Sequence, residues 1–198
     1  WRAGWLFQQF VKLGAPRVIA DLSRHYLVVD SDVVFLKDIA LFHDGRALLV
    51  KEPRGYPPDF AYYKTYEHLF GEPACSNEYS FIANYMVFDA AIVEEMLRVI
   101  EQRSGAKWHD AVIRAMDCHG ISEFSEFESY GLYLQHHHPD RFRFADVVGL
   151  QDFREIPEDF SAYADRADFV TVHEHMRVRG TFRYKVRSFM RYWGLLRE

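Results

Sequence analysis

The sequence predicts an α/β protein, a mixed sheet flanked by helices and built as one domain. Three observations predict it. Short apolar runs of strand character alternate with segments of helical periodicity. The 198 residues are 49% hydrophobic and 17% aromatic, enough to bury one sizeable core. No internal repeat and no Pro/Gly/Ser-rich linker divides the chain. The same composition excludes disorder as the main state. Acidic or basic residues also interrupt every apolar run well short of the ~20 residues that a membrane-spanning helix needs. Two cysteines, Cys75 and Cys118, are too few for a disulfide framework and fit a reducing compartment.

The elements follow in order. Trp1, Trp5, Leu6, Gln9 and Leu13 recur at helical spacing, and Gly14-Ala15-Pro16 is expected to stop that helix. Tyr26–Val29 is a four-residue apolar run ending at Asp30 and reads as a buried strand. Leu48–Val50 reads as a second strand, before a Pro/Gly-rich loop from Pro53 to Pro58. A helix is expected over Ala61–Phe70 and a strand, rich in β-branched and aromatic residues, over Ser80–Phe88. Asp89 is placed to cap a helix over Ala90–Gln102, with Ile92, Val93, Met96, Leu97 and Ile100 on one face. A further helix covers about Trp108–Met116. Ser125 with Glu128 three residues on is a capping-box signature for a helix reaching about Gln135. Phe169–His173 closes the series as a last strand.

Charge is uneven. The net charge of −5 argues against nucleic acid as a partner. Within it, Arg177–Glu198 holds seven basic residues against one acid, a local +6 that leaves −11 on residues 1–176. This divides the chain into a body, 1–176, and a basic aromatic tail, 177–198. Phe182, Tyr184, Phe189, Tyr192 and Trp193 interleave with those cations, a pattern suited either to packing on the body or to an anionic membrane surface.

The chemistry concentrates in Tyr26-Leu-Val-Val-Asp30-Ser31-Asp32-Val-Val-Phe-Leu36. An apolar strand delivers two carboxylates, two residues apart, to its C-terminal end, where open α/β sheets bind ligands. Two acids so close repel unless one is protonated or a cation lies between them. Mg²⁺ and Mn²⁺ favour such oxygen ligands and share them with substrate phosphates. Haloacid-dehalogenase-type phosphatases also place DxDx(T/V) after an apolar strand, with the first Asp as nucleophile and the second as acid/base. Their scheme needs a late acidic pair, often in a Gly-Asp setting. This chain has no Gly-Asp dipeptide, and its late segment is basic.

Four segments in one order, Trp5–Leu13, Tyr26–Leu36, Ser80–Asp89 and Phe124–Gly131, resemble a bacterial, glycosyltransferase-like family of unknown function (DUF6492), related to the GT-A nucleotide-diphospho-sugar transferases. The resemblance spans roughly residues 1–135. It implies a GT-A-like (Rossmann-like) fold and a metal-dependent transfer of sugar from a nucleotide-diphosphate donor to a glycan or lipid-linked acceptor. By the same resemblance, Asp30 and Asp32 would hold Mn²⁺ or Mg²⁺, with Asp30 and Ser31 nearer the donor. Asn84 would hold a sugar hydroxyl, and His173 or His175 would supply a third metal ligand. Glu126 fits the position of the base that takes the acceptor proton in an inverting enzyme. Lys12, one turn from Gln9, is a candidate phosphate contact. Glu128 reads as the capping partner of Ser125. His136-His137-His138 reads as a cluster at a helix C-terminus, favourable to the helix dipole. Tyr56, Phe60, Tyr62 and Tyr63 are expected to form a stacking floor for a sugar acceptor.

A GT-A domain places a strand–helix–strand unit for the nucleoside ahead of its DxD strand, whereas about one helix precedes Asp30 here, and the chain opens on Trp1. The expectation is that this N-terminal nucleotide-binding unit is lacking. The alternative is a non-catalytic sugar- or nucleotide-binding module with a vestigial site. The resemblance places the protein in the bacterial cytoplasm, peripheral at the inner membrane if the tail binds lipid.

Overall fold

A computed structural model describes residues 3–53, 55–74, 78–116, 123–151 and 157–172. The architecture is mixed α/β, with helices and small mixed sheets. The chain divides into two compact units. Trp1–Val29 with Ala40–Ala145 form the first, and Asp30–Ile39 with Asp146–Glu198 the second.

In the first unit, α1 (Ala3–Val18) leads to β1 (His25–Val29). The chain later returns as β3 (Phe42–His43), β4 (Arg46–Leu49) and α2 (Ala61–Phe70). Then come β5 (Tyr85–Asp89), α3 (Ala90–Ser104), α4 (Trp108–Ala115), α5 (Glu126–His137) and β6 (Phe142–Phe144). β1 pairs antiparallel with β5, His25 opposite Asp89 and Val29 opposite Tyr85. β4 pairs antiparallel with β3 and parallel with β6. The core lies among α2, α3, α5 and β5, where Tyr63, Tyr66, Phe81, Met86, Phe88, Met96 and Tyr130 are fully buried. Asp89 caps α3 as its position predicts, its carboxylate accepting from the Ala91 N–H at 3.0 Å.

In the second unit, β2 (Val33–Phe35) pairs antiparallel with β8 (Phe169–Thr171), which pairs parallel with β7 (Gly149–Leu150). A 3-10 turn at Ser161–Tyr163 precedes β8. Gly149 packs on the Phe169 ring, where a β-carbon would come within 2.4 Å of Cζ.

Three expectations are corrected. The strands of the described residues fall into three small sheets in place of one. The helix expected to stop at Gly14-Ala15-Pro16 runs through Pro16 to Val18. Proline has no N–H to give the carbonyl four residues back. That carbonyl, of Lys12, accepts instead from the Tyr26 hydroxyl on β1 at 3.1 Å. Burial pushes the Tyr26 hydroxyl pKa up, which keeps it a donor. Lastly, the strand expected over Ser80–Phe88 begins at Tyr85. Upstream, Ser80 makes an isolated bridge to Glu52. The next two N–H groups go to side chains, Phe81 to Glu128 at 2.8 Å and Ile82 to Ser80 at 3.0 Å, so no ladder forms there.

Candidate functional site

Asp30 follows directly on β1, and Asp30-Ser31-Asp32-Val33 is a tight turn in which the Asp30 carbonyl accepts from the Val33 N–H at 3.2 Å. The Asp32 carbonyl accepts from the Val172 N–H at 2.9 Å, and Val33 faces Thr171 across the β2–β8 ladder. The backbone on both sides of the two acids is therefore pinned. Asp30 and Asp32 are half-buried and Ser31 is exposed. Among the described residues no group of three or more His, Cys, Asp or Glu is arranged to hold a metal ion. Two carboxylates on one short turn do suit a hard cation that draws its remaining ligands from water and substrate phosphates. His173 and His175 lie outside the described residues, as does the tail 177–198.

In the first unit, Lys12 and Glu126 meet although 114 positions separate them. Lys12 Nζ lies 2.6 Å from Glu126 Oε1, with both side chains largely buried. Lys12 also sits over the Phe127 ring, 4.5 Å from its centroid. Gln9, buried on α1, accepts from the Glu126 N–H at 3.0 Å, and Ser125 Oγ accepts from the Glu128 N–H at 3.2 Å. Two of the N–H groups that a helix start leaves unpaired are thereby satisfied, one from the cap and one from another helix. The sequence gives Ser125 this role; nothing local to α5 points to Gln9.

Glu128 departs from its expected partner. Its Oε2 accepts from Ser80 Oγ at 2.7 Å and from the Phe81 N–H, tying α5 to the segment before β5. Oε1 is buried with no hydrogen-bond partner among the described residues, and burial pushes the carboxyl up from its ordinary 4.5 despite the bonds to Ser80, Phe81 and Ile82. Glu123, just ahead of α5, is also buried, and its Oε2 has no hydrogen-bond partner among the described residues. Asn84, expected within a strand, is buried one residue before β5. Tyr85, which follows it, pairs with Val29, the residue before Asp30.

The histidine cluster closes α5 as its position suggests. His137 Nε2 lies 2.9 Å from Glu72 and His138 Nε2 lies 3.1 Å from Glu95. Partial burial opposes it, but hydrogen bonds from Tyr66 and His137 hold the Glu72 carboxyl below its ordinary range. These contacts tie the end of α5 to α3 and to the residues after α2. No helix of the described residues is long and apolar enough to cross a membrane.

Residues 2–178 match the family model described as a family of unknown function (DUF6492). The chain belongs to that family. The match to DUF6492 takes in the Asp30–Asp32 turn, Lys12, Asn84, Glu126, His173 and His175, and ends at the start of the basic tail. No curated protein matches the chain.

Proposed function

We propose that this DUF6492 protein is a metal-dependent, GT-A-type glycosyltransferase of bacterial origin, moving a sugar from a nucleoside-diphosphate donor to a glycan or lipid-linked acceptor. One observation carries the reading. A turn with its backbone pinned on both sides holds two carboxylates two residues apart, at the C-terminal end of an apolar strand. In this reading Asp30 and Asp32 hold Mn²⁺ or Mg²⁺, with His173 or His175 as a further ligand. The cation, when bound, neutralises the departing diphosphate. Ser31, Asn84 and Lys12 are assigned to the donor, Ser31 and Asn84 through hydroxyl and amide hydrogen bonds and Lys12 through its charge. Glu126 takes the proton from the acceptor hydroxyl as that oxygen bonds the anomeric carbon and the nucleoside diphosphate leaves. Its ion pair with Lys12 supports this role by fixing the position of the carboxylate. We assign the activity to the cytoplasm, and the basic aromatic tail to the anionic inner face of the membrane, where a lipid-linked acceptor would lie.

The test is release of UDP or GDP from a panel of nucleotide sugars with Mn²⁺. The expected result is release from at least one donor, with Glu126→Gln slowed about 100-fold or more while still binding that donor. No release from any donor, or an unaffected Glu126→Gln, contradicts the reading.

A further inference from the structure

A cavity of about 450 Å³ opens in the first unit between the loop after β4 and the segment before β5. Glu52, Tyr56, Phe60, Ser80 and Ile82 line it, and its size falls in the range of about 300–1,000 Å³ usual for small-molecule sites. The backbone fixes its walls. Glu52 and Ser80 exchange both N–H···O=C bonds, at 2.9 and 3.1 Å, and the Gly55 N–H donates to the Glu78 carbonyl at 3.0 Å.

Two aromatic residues of the lining stack on each other. Tyr56 and Phe60 stack with centroids 4.3 Å apart and planes 17° from parallel. Tyr62 is set edge-on against both, at 5.2 Å from Tyr56 and 5.1 Å from Phe60. Glu52 and Ser80 complete the polar part of the lining, and the Ser80 hydroxyl donates to Glu128. Burial pushes the Tyr56 hydroxyl up to about 12 although a hydrogen bond with Ser80 opposes the shift, so it stays neutral.

We propose that this cavity binds the pyranose ring of a glycan acceptor, its apolar C–H face laid on the Tyr56–Phe60 stack and its hydroxyls met by the polar ends of Glu52 and Tyr56. As an acceptor assignment it deepens the transferase reading and rests on it. The shape decides for a sugar over an ammonium group. A cation gains most from several ring faces turned toward one point, whereas Tyr56 and Phe60 spend a face on each other and leave a plane. A flat ring with C–H groups on one side and hydroxyls at its rim matches an apolar platform edged by a few polar groups.

The experiment is saturation-transfer NMR on the full chain. The probes are the methyl glycosides of glucose, galactose, mannose and N-acetylglucosamine at millimolar concentration, with tetramethylammonium as a competitor. Tyr56→Leu and Phe60→Leu keep apolar bulk and remove the rings, and circular dichroism checks that both remain folded. The expected result is transfer to the ring protons of at least one glycoside, weakened about tenfold in both variants and insensitive to tetramethylammonium. No transfer from any of the four, transfer unchanged in both variants, or displacement by tetramethylammonium overturns the proposal. Mn²⁺-dependent UDP and GDP binding, measured on the same samples, separates the two readings. Nucleotide binding without glycoside binding rejects the cavity and spares the transferase. Glycoside binding without nucleotide binding upholds the saccharide site and rejects its use as an acceptor site in sugar transfer.

Discussion

Lys12 and Glu126 form an ion pair with little of either side chain exposed. Removing one partner of a buried pair leaves an uncompensated charge and costs about 3–5 kcal/mol, whereas removing both costs far less. Lys12→Met is therefore expected to destabilise the protein by about 3 kcal/mol in urea unfolding, and Lys12→Met with Glu126→Gln to recover more than half of that. Loss of under about 1 kcal/mol in the single variant would show the pair to be solvent-screened. Glu128 makes a pH-dependent contribution of the opposite kind. Burial raises its folded pKa above the ordinary 4.5, so between those two values the folded state holds more protons than the unfolded one. Stability from this group is complete below the unfolded value and is lost as pH rises through the folded value. Relative to Glu128→Gln, which cannot titrate, the natural protein should lose stability from pH 4.5 upward. A constant difference across pH 4.5–8 would contradict the assignment.

At the scale of elements, non-local hydrogen bonds decide where helices and strands end. α2 falls on Ala61–Phe70 as its periodicity predicts, and α3 starts at the Asp89 cap, because those signals lie within a few residues of the boundary. Pro16 is misread because the Tyr26 hydroxyl that compensates it comes from another element. A double-mutant cycle tests this. Tyr26→Phe should cost about 1–2 kcal/mol, and less in a Pro16→Ala background, where the restored N–H can reach Lys12. Equal costs in both backgrounds would remove the proposed compensation. The strand expected from Ser80 is shortened for a related reason, since Glu128 takes the Phe81 N–H that a ladder would need. The same contact brings α5 close: a β-carbon on Gly131 would stand 2.0 Å from Phe81 Cγ. Gly131→Ala, benign in a solvated helix, is expected to destabilise by about 3 kcal/mol or more or to leave the protein insoluble. A thermal midpoint within a degree or two of the natural protein would refute that packing.

At the scale of the whole molecule, the sequence makes the position of the Asp30–Asp32 turn legible, because a strand and the acids that follow it are contiguous. It leaves illegible the meeting of Lys12 with Glu126, the cap that Gln9 supplies in trans and the support of Ser80 by Glu128, since each joins distant segments. The α/β class follows from alternation of local patterns; the division of strands among three sheets depends on pairings no local pattern encodes. Charge asymmetry is a property of the entire chain, with +6 on residues 177–198 against −11 on the remainder. If the tail meets an anionic surface, replacing Arg183, Arg187 and Arg191 with Ala should reduce sedimentation with anionic vesicles at low salt, and unchanged sedimentation would remove the membrane assignment. The central claim, that Asp30 and Asp32 form a metal-dependent nucleoside-diphosphate site, is tested most directly by calorimetric titration of UDP and GDP with and without Mn²⁺, on the natural chain and on Asp32→Ala. Binding of one nucleotide that requires Mn²⁺ and is lost in Asp32→Ala is the expected result; binding indifferent to Mn²⁺ and to Asp32, or none at all, would contradict the assignment.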